Sequence, residues 1–369
     1  MKKSIVIVVS AMNMGGAQRV VSILCNHWSQ HGYAVTLINT FTEKKINHFQ
    51  LNKNVSLEYL SNNPFIPSNN FCNTLWKFIQ LRKLIKSKNP NIVISFLTRV
   101  NVATALSSFG IKSSTIICER TWPPFASLDS RFFWIYRLIF RGVDKIIVQT
   151  DKSKIWLNKN FSSKHVDIIP NPIVYPLPEH GRSVNPDSII LKNKKVILAS
   201  GRLHKFKQFD LLIKAFSNIK DNHPDWDLVI LGDGEERNNL NQLTCNLEVV
   251  DRVIFPGKVG NMSEWYKRAN MFVLSSVVEG FPNVLLEAMA YGLPCISFDC
   301  DTGPRDMIKH GVNGILVNPN DKDIGLSNAI DKIIRNGNLS SSIANNAILL
   351  REKYSIDNII QKWSDVTDC

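Results

Sequence analysis

The stretch Glu279-Gly280-Phe281-Pro282-Asn283-Val284-Leu285-Leu286-Glu287 is the most informative part of this 369-residue chain. It follows an apolar run at 271–274, which predicts a buried strand, and it leads into a predicted helix at 284–289. A loop that opens a helix leaves backbone N–H groups unpaired, and such groups attract anions. Two carboxylates beside an amide-lined anion site would suit a ligand that carries both hydroxyls and phosphates. The alternative is a pair of solvated glutamates near a helix N-terminus, where the helix dipole favours negative charge.

The order of apolar and amphipathic segments predicts two doubly wound α/β halves. In the first half, strands are predicted at 4–10, 34–39, 92–96, 115–118 and 145–149, and helices at 17–31, 71–88, 101–109 and 131–142. In the second half, strands are predicted near 195–200, 227–231, 252–255, 271–274 and 294–298, with a helix after each and a last helix at 341–366. Alternation of this kind with short turns is typical of parallel sheets with crossover helices. The Pro-rich polar stretch 175–193 is predicted to be the linker.

Composition favours a globular protein in a reducing compartment. The chain is 44% hydrophobic, and no run approaches the roughly 18 to 20 apolar residues that span a bilayer. The apolar run at 4–10 is short and meets a glycine loop, so it predicts a first parallel strand rather than a signal peptide. The seven cysteines are scattered, without zinc-ligand spacing. We therefore expect no metal site and no disulfide framework, and we expect a cytoplasmic location.

The positive charge is concentrated in the first half of the chain. Residues 1–180 contain 22 Lys and Arg against 8 Asp and Glu, whereas residues 181–369 contain 22 against 23. A one-sided field of this kind indicates an anionic partner: nucleic acid, an acidic lipid surface or a phosphorylated substrate. Because no helix-turn-helix, zinc-finger or aromatic RNA-binding motif is present, we do not expect nucleic acid.

Two segments of the basic half suggest a membrane surface as that partner. In residues 71–86, apolar side chains recur at helical spacing and Lys or Arg fills other positions. In residues 131–141, aromatic and aliphatic side chains occupy nearly all sides and arginines interrupt them. Amphipathic helices of this composition lie in bilayer surfaces. Each could equally be a domain helix whose apolar face packs in the core.

Five motifs in this order span nearly the whole chain and resemble retaining glycosyltransferases of family 4, which have the GT-B fold. They are the glycine loop Met14-Gly15-Gly16-Ala17-Gln18-Arg19, the strand and turn at 197–203 with Lys207 and Asp210, the strand and glycine turn at 228–234, the Glu279-to-Glu287 stretch, and the turn and strand at 311–317. The resemblance implies two Rossmann-like domains that face each other across a cleft. The expected divisions are an acceptor-binding domain at 1–174, a linker at 175–193, a nucleotide-sugar domain at 194–340, and a helical segment at 341–369 that crosses back to the first domain.

The resemblance also assigns roles around the donor. Arg202 and Lys207 would hold the donor diphosphate, since a guanidinium fork and an ammonium both suit phosphate oxygens. Glu287 would bond the nucleotide ribose, and Glu279 would face the C3 and C4 hydroxyls of the transferred sugar. Further donor contacts are expected from Gly15, Gly16, Gly257, Lys258, Phe281, Pro282, Asn283 and Val284. The leaving phosphate would help to deprotonate the acceptor, with retention of anomeric configuration.

Two further sites carry expectations. The run Asp299-Cys300-Asp301 looks like the metal motif of the other glycosyltransferase fold, but its place after a late strand predicts a diphosphate loop, so we expect no metal and no cofactor. The pair Glu119-Arg120 after a first-half strand resembles a subset that acts on lipid-linked bacterial oligosaccharides. Glu119 would then orient an acceptor hydroxyl, and Arg120 would contact a diphosphate. The alternative is a salt bridge at a strand end.

These observations predict a cytoplasmic, peripherally membrane-associated retaining enzyme. It would move a hexose or N-acetylhexosamine from a UDP-sugar to an undecaprenyl-diphosphate-linked saccharide. UDP-N-acetylgalactosamine, UDP-galactose and UDP-N-acetylglucosamine are the leading donors. Lipopolysaccharide core or a soluble molecule is the alternative acceptor. A nucleotide-sugar-binding protein without turnover is the alternative from another class, and the intact set of Arg202, Lys207, Glu279 and Glu287 argues against it.

Overall fold

Two parallel sheets, one of seven strands and one of six, form two α/β units of the chain. The computed structural model describes residues 3–12, 15–40, 49–60, 70–124, 133–161 and 165–367. Unit 1 comprises Met1–Asn171 and Ile359–Cys369, and unit 2 comprises Pro172–Asn358. Of the motif residues, Met14 lies outside the described residues, as do positions 131 and 132 of the second basic segment.

Unit 1 is built on a seven-stranded parallel sheet with the order β3-β2-β1-β4-β5-β6-β7. Its strands are β1 (Ser4–Val9), β2 (Ala34–Asn39), β3 (Ser56–Tyr59), β4 (Ile92–Phe96), β5 (Ser114–Cys118), β6 (Lys145–Val148) and β7 (Val166–Ile168). The central strands are Val- and Ile-rich and buried along nearly their whole length, as expected for a parallel sheet covered on both faces.

The helices of unit 1 cover the two faces of this sheet. They are α1 (Gly16–Gln30), α2 (Asn70–Lys88), α3 (Thr98–Ser108), α4 (Phe133–Arg141), α5 (Asp151–Phe161) and the end of α14 (Ile356–Thr367). Right-handed crossovers put α1 on one face, and they put α2 to α5 on the other because the strand order reverses between β3 and β4. In agreement, α2, α3, α4 and α5 pack in succession, while Trp363 of α14 meets Trp28 of α1 at a ring distance of 5.9 Å.

Unit 2 contains a six-stranded parallel sheet with the order β10-β9-β8-β11-β12-β13. Its strands are β8 (Lys195–Ser200), β9 (Trp226–Leu231), β10 (Val253–Gly257), β11 (Met271–Leu274), β12 (Cys295–Phe298) and β13 (Ile315–Val317). Its helices are α6 (Phe209–Ile219), α7 (Arg237–Asn246), α8 (Met262–Arg268), α9 (Asn283–Ala290), α10 (Pro304–Met307), α11 (Lys322–Arg335), α12 (Gly337–Ile348) and α13 (Leu350–Lys353). The core lies between the sheet and the helices, with Phe216, Leu228 and Ile330 among its fully buried side chains.

The predicted two-unit α/β architecture is confirmed, and several predicted elements are corrected. The edge strands β3 and β7 were missed, because a short strand with one neighbour carries little of the apolar run that marks a buried strand. Helix α5 was also missed. The segment predicted to be helical at 341–366 is helical, but it is divided among α12, α13 and α14. The stretch 175–193 contains one 3-10 turn, Pro186–Ser188, whose first N–H groups are capped by Asn185.

Among the described residues, no helix combines the length and the apolar character required to cross a bilayer.

Candidate functional site

The loop after β8 brings Lys207 to Glu279, although the two residues are 72 positions apart. Lys207 ends a 3-10 turn, Lys205–Lys207, and its stem passes Gly201, where an added Cβ would lie 3.4 Å from Lys207 Cε. Lys207 Nζ donates to Glu279 Oε1 at 2.5 Å, and the two side chains are 24% and 11% exposed. The predicted phosphate cation and the predicted sugar-facing carboxylate thus meet in one half-buried ion pair.

A second loop, which follows β12, holds Glu279 in place. The Thr302 hydroxyl donates to the backbone carbonyl of Glu279. Gly303 has φ +91°, and an added Cβ there would lie 2.6 Å from Cδ of Pro282. Only glycine accepts both this conformation and this approach. A loop was predicted after this strand, but the part that Thr302 and Gly303 play in holding the Glu279 loop was not.

Helix α9 begins directly after Pro282, as the Gly-Phe-Pro loop predicted. The N–H groups of Leu285 and Leu286 donate to the Pro282 carbonyl at 3.1 and 3.2 Å. No side chain caps this end of the helix. Phe281 and Pro282 are buried, whereas Asn283 and Val284 are half-buried. The anion-binding role of this helix start remains a prediction.

Glu287 lies one turn into α9 and is only 3% exposed. The Tyr266 hydroxyl, from α8, donates to Glu287 Oε2 at 3.0 Å and lies 3.2 Å from the carbonyl oxygen of Val284. The Tyr266 ring is itself buried beside Tyr291, at a ring distance of 5.3 Å. Tyr266 therefore fixes the orientation of the carboxylate. This role of Tyr266 was not predicted, because an isolated tyrosine in a helix has the same pattern as a core residue.

Arg202 lies at the start of the same loop as Lys207 but pairs with another carboxylate. Its side chain is 72% exposed, and Nη2 donates to Glu235 Oε2 at 3.1 Å. Gly257 ends β10 with φ +86°, and Lys258 beside it is exposed. Arg202, Lys207, Gly257, Lys258 and the Glu279-to-Glu287 stretch all belong to unit 2, at loops that follow strands. In open parallel sheets this is the edge where ligands bind.

The two glycines of the first motif lie at the start of α1 in unit 1. Gly15 precedes the helix in extended conformation, and Gly16 is its first residue. An added Cβ at Gly15 would lie 2.4 Å from Oε1 of Gln18, the far end of a flexible side chain. Close approach of this backbone to a phosphate remains a prediction.

Glu119 is buried just after β5, and each of its two carboxylate oxygens accepts a hydrogen bond. Oε2 accepts from the Thr98 hydroxyl and Oε1 from Asn101 Nδ2, both at 2.7 Å. Asn101 also donates to the Cys118 carbonyl at 2.9 Å, and Leu97, just before α3, has φ +76°. Burial raises the pKa of Glu119 to about 7 against the hydrogen bonds, which lower it. In this structure Glu119 anchors the first turn of α3.

Arg120 is also buried, and it contacts other parts of unit 1. Nη1 donates to Asn171 Oδ1 at 3.0 Å, and the guanidinium lies 5.0 Å from the Phe96 ring centre and 6.0 Å from that of Trp363. Nε and Nη2 have no hydrogen-bond partner among the residues that the structure describes, and burial lowers the Arg120 pKa. These contacts favour a positioning role, and the predicted contact of Arg120 with a diphosphate stays a prediction.

Replacing Glu119 by Gln is expected to flatten the pH dependence of stability. The folded-state pKa of about 7 lies above the ordinary value of 4.5. Ionisation of Glu119 therefore lowers the free energy of unfolding. The loss is absent below pH 4.5 and reaches its full value, on the order of 3 kcal/mol, above pH 7. The Gln amide can still accept from Asn101 and donate to Thr98. Urea unfolding at pH 5 and pH 8 measures the effect, and an unchanged difference between the two pH values would contradict this account.

The Asp299-Cys300-Asp301 run follows β12. Asp299 Oδ1 accepts from Arg305 Nε at 2.9 Å, and Cys300 is buried. Among the described residues, no group of three or more His, Cys, Asp or Glu is arranged to hold a metal ion. The metal-free reading of this run remains a prediction, and the Arg305 pair is consistent with a loop that carries a cation for a phosphate.

A cleft of about 390 Å³ opens in unit 2 between the loop after β8 and α7. His204, Lys205 and Gln208 line one side, and Glu236, Asn239 and Leu243 line the other. None of the residues predicted to bind the donor lines it. This cleft therefore lies beside the predicted donor loops and is not formed by them.

Helices α2 and α4 use one side for the core and leave apolar side chains on the other. Ile85 of α2 and Phe140 of α4 are buried. Ile79 of α2 is 46% exposed, and Trp134 and Leu138 of α4 are 68% and 70% exposed. Further exposed apolar side chains are Leu75 on α2, Leu106 on α3 and Phe109 after α3. Each segment therefore packs one side in the core, and the membrane-surface interpretation remains a prediction.

Comparisons with known proteins agree with this architecture. A family described as "Glycosyltransferase Family 4" matches residues 14–174, and one described as "Glycosyl transferases group 1" matches residues 184–349. The N-acetylgalactosamine-N,N'-diacetylbacillosaminyl-diphospho-undecaprenol 4-alpha-N-acetylgalactosaminyltransferase of Campylobacter jejuni is 30% identical over 322 residues, which cover 84% of this chain and 85% of the relative. The amylovoran biosynthesis glycosyltransferase AmsD of Erwinia amylovora is 28% identical and is matched over 99% of both chains.

A solved structure extends the likeness to the fold. The Anabaena protein Alr3699/HepE in complex with UDP superposes with a TM-score of 0.80 at 17% identity and over 100% of both chains. At this identity the superposition shows the fold alone. Together with the relatives and the two family matches, it shows that the chain belongs to glycosyltransferase family 4 and is a glycosyltransferase with the two Rossmann-like units of the GT-B fold.

Proposed function

We propose that this enzyme transfers a hexose or N-acetylhexosamine from a UDP-sugar to an undecaprenyl-diphosphate-linked saccharide, with retention and without a metal. The observation that carries the proposal is the Lys207–Glu279 ion pair of 2.5 Å in the same unit as the buried Glu287. This unit presents a cation for phosphate, an acceptor for sugar hydroxyls and an acceptor for ribose. The UDP complex of the Anabaena protein supports the donor class, and the Campylobacter relative supports the acceptor class.

The electrostatic task on the donor side falls to Lys207 and Arg202. As the glycosidic bond breaks, negative charge grows on the leaving diphosphate. Cations placed there stabilise the transition state more than the bound donor. Because two protein cations can neutralise this charge, the proposed reaction needs no metal ion. The departing phosphate then takes the proton of the acceptor hydroxyl, so the new bond forms on the face from which the phosphate leaves.

The remaining donor contacts are assigned by position. The Phe281-to-Val284 backbone and the Gly15–Gly16 backbone would contact sugar and phosphate, while Gly257 and Lys258 would lie beside the base. On the acceptor side, Glu119 holds the first turn of α3, and Arg120, which follows β5, holds Asn171 of the segment after β7. We propose that both shape the acceptor site through these elements.

A donor screen tests the proposal. The purified protein is incubated with UDP- and other nucleotide-sugars, and release of the nucleotide and of the sugar is measured with and without EDTA. We expect EDTA-insensitive hydrolysis of at least one UDP-sugar, and transfer to an undecaprenyl-diphosphate-linked saccharide. Transfer only to lipopolysaccharide core or a soluble acceptor would favour the alternative acceptors. UDP-sugar binding without turnover on any acceptor would favour the non-catalytic alternative.

Peripheral association with an anionic membrane surface, on the cytoplasmic side, is the second part of the proposal. Helices α2, α3 and α4 contain eight Lys or Arg and no Asp or Glu. The exposed Trp134, Leu138 and Phe109 lie on the same helix layer of unit 1. Basic charge attracts anionic lipid, and exposed aromatic side chains can enter the headgroup region. Such a surface would bring the enzyme to a lipid-linked acceptor.

Replacing Lys83 and Lys86 of α2 by Gln is expected to weaken binding to anionic vesicles by tenfold or more. Each basic residue near such a surface contributes on the order of 1 kcal/mol, and salt screens the attraction. Arg82 is left in place because its Nη1 donates to the carbonyls of Ser107 and Phe109, at 2.9 and 2.6 Å. Co-sedimentation with vesicles of 0 to 40% anionic lipid measures the effect.

The matched control for charge is the pair Lys309→Gln and Lys332→Gln, two exposed lysines of unit 2. It removes the same charge and should leave vesicle binding unchanged. Binding that ignores lipid charge would contradict membrane docking. Tight, salt-sensitive DNA binding without donor hydrolysis would favour the nucleic-acid class instead.

A further inference from the structure

Glu235, in the loop between β9 and α7, holds two side chains of the loop after β8. Its Oε2 accepts from Arg202 Nη2 at 3.1 Å, and its Oε1 lies 3.3 Å from His204 Nε2. A backbone hydrogen bond lowers the Glu235 pKa, and the neighbouring Arg202 and His204 lower it further. The Glu235 carboxylate thus forms an ion pair with Arg202, the exposed cation that the proposed function assigns to the donor diphosphate.

The backbone forces this arrangement, because the two loops lie against each other. An added Cβ at Gly232 would fall 1.9 Å from the Gly201 carbonyl oxygen, and one at Gly234 would fall 2.4 Å from that of Leu203. Leu203 N–H donates to the Asp233 carbonyl at 3.1 Å, and the Glu236 N–H donates to the Leu203 carbonyl at 3.0 Å. Only glycines permit this contact. Glu235 is therefore placed over Arg202 by main-chain bonds on both sides of it.

The fold also sets the tautomer of the neutral His204 ring. His204 Nδ1 accepts from the Phe206 N–H at 3.2 Å. In the neutral ring the proton must then sit on Nε2, which faces Glu235. His204 donates to the carboxylate without needing to be charged. When the Arg202–Glu235 pair breaks, Glu235 therefore keeps a hydrogen-bond donor, His204 Nε2.

We propose that Glu235 is an internal counter-ion of Arg202, which the donor diphosphate displaces. The inference rests on the proposed function and names a further residue of its donor site. A pair as exposed as this one is weak, so a ligand phosphate can exchange with the carboxylate. Breaking the pair costs the same free energy for every ligand that binds Arg202. Glu235 therefore lowers the affinity of the site for each such ligand by a common, small factor.

The test is calorimetric titration of the full chain with UDP and with UMP. Glu235→Gln is expected to bind UDP about threefold to fivefold more tightly than wild type, and to bind UMP more tightly by at most the same factor, because the cost of breaking the Arg202 pair is common to both ligands. Both gains should vanish when Arg202→Ala is combined with Glu235→Gln. The matched control is Glu236→Gln, since the neighbouring Glu236 pairs with Asn239 at 3.0 Å and not with Arg202.

The outcomes separate the two proposals. If UDP binds to wild type but Glu235→Gln binds it equally or more weakly, the counter-ion role is overturned and the donor class stands. An equal gain in Glu236→Gln would also overturn the role, because the effect would then be one of net charge. If wild type binds no UDP at millimolar concentration, the proposed donor is wrong and the inference fails with it. Thermal unfolding of each variant checks folding, and Glu235→Ala is the second variant at the position.

Discussion

Replacement of Lys207 by alanine is expected to lower the turnover of donor hydrolysis by roughly 30-fold to 1000-fold. This corresponds to about 2–4 kcal/mol, the scale for removal of one preorganised electrostatic partner of the transition state. The donor Kd should change much less, because the charge that Lys207 stabilises develops mainly as the glycosidic bond breaks. Single-turnover hydrolysis and calorimetric titration of the UDP-sugar measure the two quantities separately. Arg202→Ala should likewise lower the turnover and change the donor Kd much less.

The neighbouring Lys205 supplies the matched control. It lies on the same 3-10 turn as Lys207 and is exposed, so Lys205→Ala should leave turnover unchanged. Removing Lys207 also leaves the half-buried Glu279 without its 2.5 Å partner, so Lys207→Gln, which retains a donor, separates loss of charge from loss of fold. Turnover at the wild-type level in correctly folded Lys207 and Arg202 variants would remove both cations from the mechanism.

Replacement of Glu287 by alanine is expected to weaken UDP binding by roughly 10-fold to 100-fold. A hydrogen bond to a charged group contributes about 1.5–3 kcal/mol, and the proposed ribose contacts do not depend on the sugar. Glu279→Ala should leave the UDP affinity nearly intact and impair transfer, since Glu279 would face the sugar. Its loss also frees Lys207 for phosphate. Titration with UDP, followed by transfer assays, distinguishes the two carboxylates.

Tyr266→Phe is the graded control for this pair. Its hydroxyl donates to Glu287 at 3.0 Å, so its removal should weaken UDP binding less than Glu287→Ala does, by loss of orientation alone. Equal losses of UDP affinity in the Glu279 and Glu287 variants would mean that the proposed division of roles is wrong. If Tyr266→Phe bound UDP more weakly than Glu287→Ala does, the tyrosine itself would make the nucleotide contact.

The amino-acid sequence was sufficient to predict the architecture and to propose the candidate donor residues. Runs such as Ile5-Val6-Ile7-Val8-Val9 have the continuous apolar character of strands buried on both faces, and their alternation with helices predicts parallel sheets. The Gly-Phe-Pro loop predicted where α9 begins. These features are local, so the order of residues is enough to recognise them. The edge strands β3 and β7 escaped notice because each is short and contains a charged residue, Glu58 in β3 and Asp167 in β7.

The side-chain contacts between distant residues could be seen only in the folded structure. Lys207 reaches Glu279 across 72 positions, Tyr266 reaches Glu287 from another helix, and Glu235 reaches Arg202 through two glycine contacts. The structure also placed Glu119 and Arg120 in buried networks, where the sequence had indicated acceptor-site residues or a salt bridge at a strand end. The physical reason is the same in each case. A hydrogen bond or an ion pair depends on which loops share the carboxyl edge of a sheet and on how closely their backbones approach, and neither is encoded by the spacing of residues along the chain.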